Sequence, residues 1–250
     1  MKVKPYFFTM LSVSLILVLL SATRALTQSR SLKMAVGLSL APYVISETNS
    51  GISLEIVMGA LKLKGYTLAP IYVPFGERVK AYEEQKLDSI MTIDERSGVQ
   101  AFYSDVVTTY QNVAICLKSK HLPIARMSDL RGKHLIAFQD ATIYLGEEFA
   151  AAAKAGQYEE VATQADQVLA LYAGKADVIV MDKNIFLYYR AQVAKQIDVT
   201  QPIVMHGLFP KNEYKAAFTS KDVRDDFNEG LKRLRESGEY KRIMKRYIKA

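Results

Sequence analysis

The chain has 250 residues, half of them hydrophobic and 24% charged, and 33 Lys and Arg against 26 Asp and Glu give a net charge of +7. Such a length is ample for a large core and suits one large or two modest domains. The basic residues are dense only from Lys232 to Lys249, where Glu236 and Glu239 interrupt them. This pattern reads as a solvated surface and argues against nucleic-acid binding.

The first residues carry an export signal. Lys2 and Lys4 open the chain, residues 7–20 are apolar apart from Thr9, Ser12 and Ser14, and Thr23 and Ala25 stand where a signal peptidase reads small side chains. The apolar run is shorter than the roughly 20 residues needed to cross a bilayer. Residues 1–25 are therefore expected to be removed, with no stable anchor left. The net charge then falls by three, to +4, because Lys2, Lys4 and Arg24 go and no acid goes with them. The one cysteine, Cys116, lies in an apolar run and cannot form an internal bridge, so it reads as a small buried hydrophobe.

Along the mature chain, strand-length apolar runs alternate with segments of helical period, which predicts an α/β fold. Residues 33–38 read as a strand. Residues 51–62 read as a helix, with Ile52, Leu54, Ile56, Val57, Ala60 and Leu61 mostly at three- and four-residue steps. A strand over 66–73, a helix over 77–84 and a short strand over 87–91 follow. Residues 106–117 form a long β-prone stretch. A turn at 128–132 leads to a strand over 134–138 and a helix over 142–155. Then come a helix over 164–172, a strand over 177–181, a helix over 185–195 and a last strand over 199–206. Residues 221–247 read as helical with a break near Gly238. Nothing resembles a flexible linker, so two domains would have to be joined by strands that cross between lobes. Residues 106–117 and 199–208 are the two candidates.

Enzyme signatures are missing. His121, His134 and His206 do not stand beside Cys or a carboxylate at metal-ligand spacing, and no nucleophile elbow, phosphate loop or dinucleotide glycine pattern occurs. No cofactor is expected. The adjacent carboxylates Glu147 and Glu148, Glu159 and Glu160, and Asp225 and Asp226 diverge on regular structure and read as solvated faces.

In order, the segments resemble those of the family 3 extracellular solute-binding proteins, the amino-acid-type receptors of ABC importers, in a divergent branch. The resemblance runs from about Leu32 to Tyr247. It rests on Pro42-Tyr43 after the first strand, Gly51 opening the first helix, and Asp94-Glu95-Arg96 followed by Phe102-Tyr103-Ser104-Asp105. Asp129-Leu130-Arg131-Gly132-Lys133, the run from Gly174 to Asp182, and the closing helices around Phe227 and Tyr240 complete it.

The resemblance implies a two-lobed periplasmic binding fold of type II, each lobe a mixed sheet flanked by helices, with two hinge crossovers. It implies lobe 1 over 26–108 and 208–250, and lobe 2 over 109–207. The implied function is capture of a small polar, amino-acid-like ligand and its presentation to a membrane permease or sensor by a monomeric protein. A zwitterion buried between lobes needs an opposite charge for each end. The implied site follows from that need. Arg96 grips the carboxylate or else pairs with Asp94 or Glu95 at the surface. Asp182 takes the ammonium or caps a helix. Thr142 holds an anion at a helix start or is only a cap. Tyr43 and Phe75 are aromatic walls or core, and Gln139 and Tyr110 are further candidates. The spacing is unusual before Arg96: Asp88 lies only eight residues ahead, and of the expected Gly and Thr contacts only Thr92 remains.

Overall fold

The computed structural model describes residues 30–248 except Ser39. The export signal expected over 1–25 lies outside them. In the first half of the chain, β1 (Arg30–Gly37) lies between β2 (Tyr66–Val73) and β3 (Ser89–Ile93), parallel to both. The helices α1 (Ile52–Lys62) and α2 (Arg78–Glu84) link these strands. This is the arrangement that strand–helix–strand alternation predicts for a parallel sheet.

A second sheet is built in the same way. β6 (His134–Phe138) runs parallel to both β7 (Gln157–Val161) and β8 (Val178–Asp182). Between them come α3 (Ala141–Tyr144), α4 (Glu147–Lys154) and α5 (Gln164–Tyr172), and α6 (Lys183–Val193) follows β8. The single helix expected over 142–155 is therefore two, because the chain turns at Gly146, where φ is 89°. The edge strand β7 has the sequence Gln-Tyr-Glu-Glu-Val and is largely exposed, so it carries no apolar signal.

Two long strands join the sheets. β5 (Thr108–Leu117) and β10 (Lys211–Phe218) pair antiparallel through residues 108–111 and 211–214. Past that segment they part. β5 continues into the second sheet against β8 and β9 (Ile203–His206), and β10 continues into the first against β3 and β4 (Phe102–Tyr103). The expected crossing at 106–117 is present. The other crossing is β10, not 199–208, whose strand β9 stays within the second sheet. β10 escaped the sequence because its first residues, Lys-Asn-Glu-Tyr-Lys, alternate no apolar side chains: Asn212 and Tyr214 line a cavity, and Lys211 and Glu213 are exposed.

The chain closes on the first sheet with α7 (Lys221–Glu236) and α8 (Glu239–Tyr247). α7 buries Phe227, Gly230, Leu231 and Leu234, a stripe at three- and four-residue steps, and Ser220 caps its start by accepting from the Val223 amide. Among the described residues no helix is long and apolar enough to cross a membrane. α7 lies against α1 at a glycine. A Cβ added at Gly230 would stand 2.2 Å from the Ala60 carbonyl oxygen, so only hydrogen fits there. Gly230→Ala is expected to push the two helices apart and cost about 1–3 kcal/mol, a typical overpacking penalty. Urea denaturation should then show a lower midpoint with an unchanged slope.

Candidate functional site

A cavity of about 450 Å³ opens between the two sheets, within the usual size range for small-molecule pockets. Its floor is the crossing pair. Side chains two apart on a strand share a face, so Tyr110 and Asn112 of β5 lie beside Asn212 and Tyr214 of β10, all lining the cavity. The Tyr110 and Tyr214 rings meet edge to face with centroids 4.8 Å apart. The first half of the chain contributes Leu38, Leu40, Phe75 and Arg96 to one wall; the other wall is Phe138, Tyr144, Gln164, Asp182 and Ile185. The Asn112 and Asn212 side-chain amides have no hydrogen-bond partner among the described residues and are open to the cavity.

Phe75 is 43% exposed and presents one ring face to the cavity. Its other face lies over the Arg78 guanidinium, 3.6 Å from the ring centroid. Arg78 is buried without a carboxylate. It donates instead to the carbonyl oxygens of Phe75 (2.7 Å), Met91 (2.7 Å) and Thr92 (2.5 Å), and burial lowers its pKa to about 10. A Cβ at Gly37 would touch both Phe75 and Arg78, so the end of β1 leaves room for this stack.

Asp182 is buried at the end of β8, where it caps α6. Its Oδ1 accepts from the backbone amides of Asn184 (2.9 Å) and Ile185 (3.0 Å). The same oxygen accepts from the Tyr43 hydroxyl at 2.9 Å, and Oδ2 accepts from the Gln111 amide at 2.7 Å. Burial raises the Asp182 pKa, and these four donors oppose the rise. Tyr43 is fully buried, stacked on Tyr110 at 3.7 Å, and also accepts from the Asn184 side chain at 2.9 Å. It therefore stands behind the cavity as a hydrogen-bonded link from the first half of the chain to the second.

The other expected site residues are spread more widely. Tyr110 is on the cavity floor. Arg96 is at the rim, its side chain 74% exposed, and holds Asp94 with Nε at 3.0 Å and Nη2 at 2.6 Å. Thr142 and Gln139 do not line the cavity. Thr142 is in the single turn α3, and the amides at that turn face a carboxylate of the chain itself: Asp140 N donates to Glu160 Oε2 at 2.8 Å. Asn112 and Asn212 were not anticipated. Two-residue periodicity from Tyr110 could have found Asn112; Asn212 needed β10 first.

This arrangement, two sheets joined by two crossing strands with a cavity over the crossing, is that of a two-lobed binding protein. A profile of the bacterial extracellular solute-binding proteins, family 3, matches residues 32–250, and the chain belongs to that family. No curated protein matches it by sequence. Among solved structures, an ancestral cationic amino-acid solute-binding protein is 17% identical over 88% of this chain and 96% of its own, with a TM-score of 0.69. The second substrate-binding domain of Lactococcus lactis GlnP, in an open conformation, is 20% identical over 89% and 97%, with a TM-score of 0.66. A histidine kinase sensor domain with similarity to periplasmic binding proteins is 20% identical over 88% and 96%, with a TM-score of 0.62. The fold is thus the two-lobed periplasmic binding fold, and the family and these neighbours are binding proteins.

Tyr43→Phe separates a structural link from a ligand wall. The variant keeps the ring and its stacking but leaves the buried Asn184 amide and Asp182 each one partner short. The ligand-free protein should lose about 1–3 kcal/mol in urea denaturation. Unchanged stability would show that the hydroxyl does not hold the halves together.

Proposed function

We propose that the chain is exported to the periplasm, loses residues 1–25, and captures a small polar, amino-acid-like ligand between two lobes. Lobe 1 comprises residues 26–108 and 208–250, and lobe 2 residues 109–207. The loaded monomer presents the ligand to a membrane partner, an ABC permease, and carries out no chemistry on it. Phe75, Arg96, Tyr110 and Asp182 are the contacts expected from the sequence that also reach the cavity, and Asn112 and Asn212 join them.

One observation carries this reading: the cavity takes its walls from both halves of the chain and its floor from the strands that join them. A ligand touching both walls binds a closed arrangement better than an open one, so it shifts the equilibrium between them. A partner that recognises only the closed form then reads occupancy. The amino-acid-like class is supported by neighbours that bind cationic amino acids. A second reading, a sensor that signals ligand to a kinase, is favoured by the likeness to a histidine kinase sensor domain.

The test is thermal unfolding of residues 26–250, stripped of ligand by unfolding and refolding, against amino acids, small peptides, polyamines and dicarboxylates. A true ligand at a hundred times its Kd adds about 2.7 kcal/mol, a rise of several degrees for a chain of this size. Asn112→Ala combined with Asn212→Ala should weaken the hit at least tenfold. A stabilising solute indifferent to that pair of changes would place binding elsewhere on the protein.

A further inference from the structure

One side chain of the cavity wall has its polarity fixed from behind, and it narrows the ligand, given the reading above that this cavity is the binding site. Gln164 opens α5 and lines the cavity. Gln167, one turn further on, is wholly buried, on the side where α5 also buries Val168, Leu171 and Tyr172. Side chains three apart on a helix are neighbours. Here Gln167 Nε2 donates to Gln164 Oε1 at 3.1 Å. Gln167 Oε1 has no hydrogen-bond partner among the described residues.

A buried carboxamide with an unpaired oxygen is costly, and an apolar side chain of the same length would fill the position without that cost. What Gln167 supplies and an apolar residue does not is its N–H. The bond turns the oxygen of Gln164 inward to the helix, so the end left for the cavity is Nε2, which can only donate. That Nε2 bonds to no other group among the described residues. Asn112 and Asn212 have no such tether and can turn either end of their carboxamides to a ligand, whereas Gln164 offers one.

We propose that Gln164 is a ligand contact that donates from Nε2 to an acceptor oxygen of the ligand, a carboxylate or a carbonyl. Gln167 is the positioning residue that keeps this donor turned to the cavity.

The link is tested without ligand, by nuclear magnetic resonance of protein carrying isotope-labelled glutamine. The side-chain amide peaks that vanish in Gln167→Met belong to Gln167, and Gln164→Ala should shift them by removing their acceptor. Peaks that stay in place overturn the link. The contact is tested by calorimetry on the stripped protein with L-glutamine, L-arginine and succinate, which carry acceptor oxygens, and putrescine, which carries none. At least one of the first three should bind. Gln164→Glu keeps an oxygen for Gln167 but presents an acceptor in place of the donor, and should weaken that solute at least tenfold. Gln167→Met should weaken it severalfold, and not at all once Gln164 is already Ala, because it acts through Gln164 alone. Affinity that rises or holds in Gln164→Glu overturns the donor. An equal loss from Gln167→Met in both backgrounds overturns its positioning role. Binding of putrescine alone, or of none of the four, overturns the ligand class. A solute indifferent to Asn112→Ala with Asn212→Ala as well as to Gln164→Glu would contradict the cavity as the site, a failure distinct from that of the donor.

Discussion

The antiparallel pairing of residues 108–111 with 211–214 is the constraint on which the rest of the molecule depends. It is short, yet it fixes the relative position of two sheets that share no other strands. Each of the two strands leaves the pairing into a different sheet, so this ribbon is where the two halves of the chain are joined. The same ribbon sets Tyr110, Asn112, Asn212 and Tyr214 on one face as the cavity floor. On the function proposed above, hinge and binding surface are the same few residues, which couples ligand contact directly to lobe position.

Asp182 links this geometry to electrostatics. A buried carboxylate without a cation is costly, and here four neutral donors offset much of that cost while burial still raises its pKa. Two of these donors reach it from outside its own helix: Gln111 from the crossing strand, and Tyr43 from the first half of the chain. The carboxylate therefore ties the halves together at the back of the cavity while adding negative potential to its wall.

Much of the architecture was legible in the sequence wherever burial writes a pattern. The strand over 66–73, the strand over 134–138 and the helix over 164–172 have the bounds that apolar periodicity predicts. β7 and β10 were illegible for one physical reason: a strand that faces solvent or a cavity is not obliged to alternate apolar residues. The site divides along the same line. Phe75, Tyr110, Arg96 and Asp182 were legible as chemistry and lie at the cavity. The hydroxyl of Tyr43 could not be assigned, because its partner is 139 positions away. Thr142, an anion contact or only a cap by its sequence, is at a turn where the Asp140 amide donates to Glu160, a residue of the unrecognised strand β7.

The central claim is that ligand draws the two walls together over the hinge. Spin labels on cysteines placed at Glu77, beside Phe75, and at Glu148, beyond Tyr144, with Cys116 replaced by Ala, measure that movement by pulsed dipolar spectroscopy. Both positions are exposed and flank opposite walls. Saturation with a stabilising ligand should replace the ligand-free distance distribution by a narrower one at shorter distance. A distribution unchanged at saturation would contradict lobe closure and leave the cavity a static pocket.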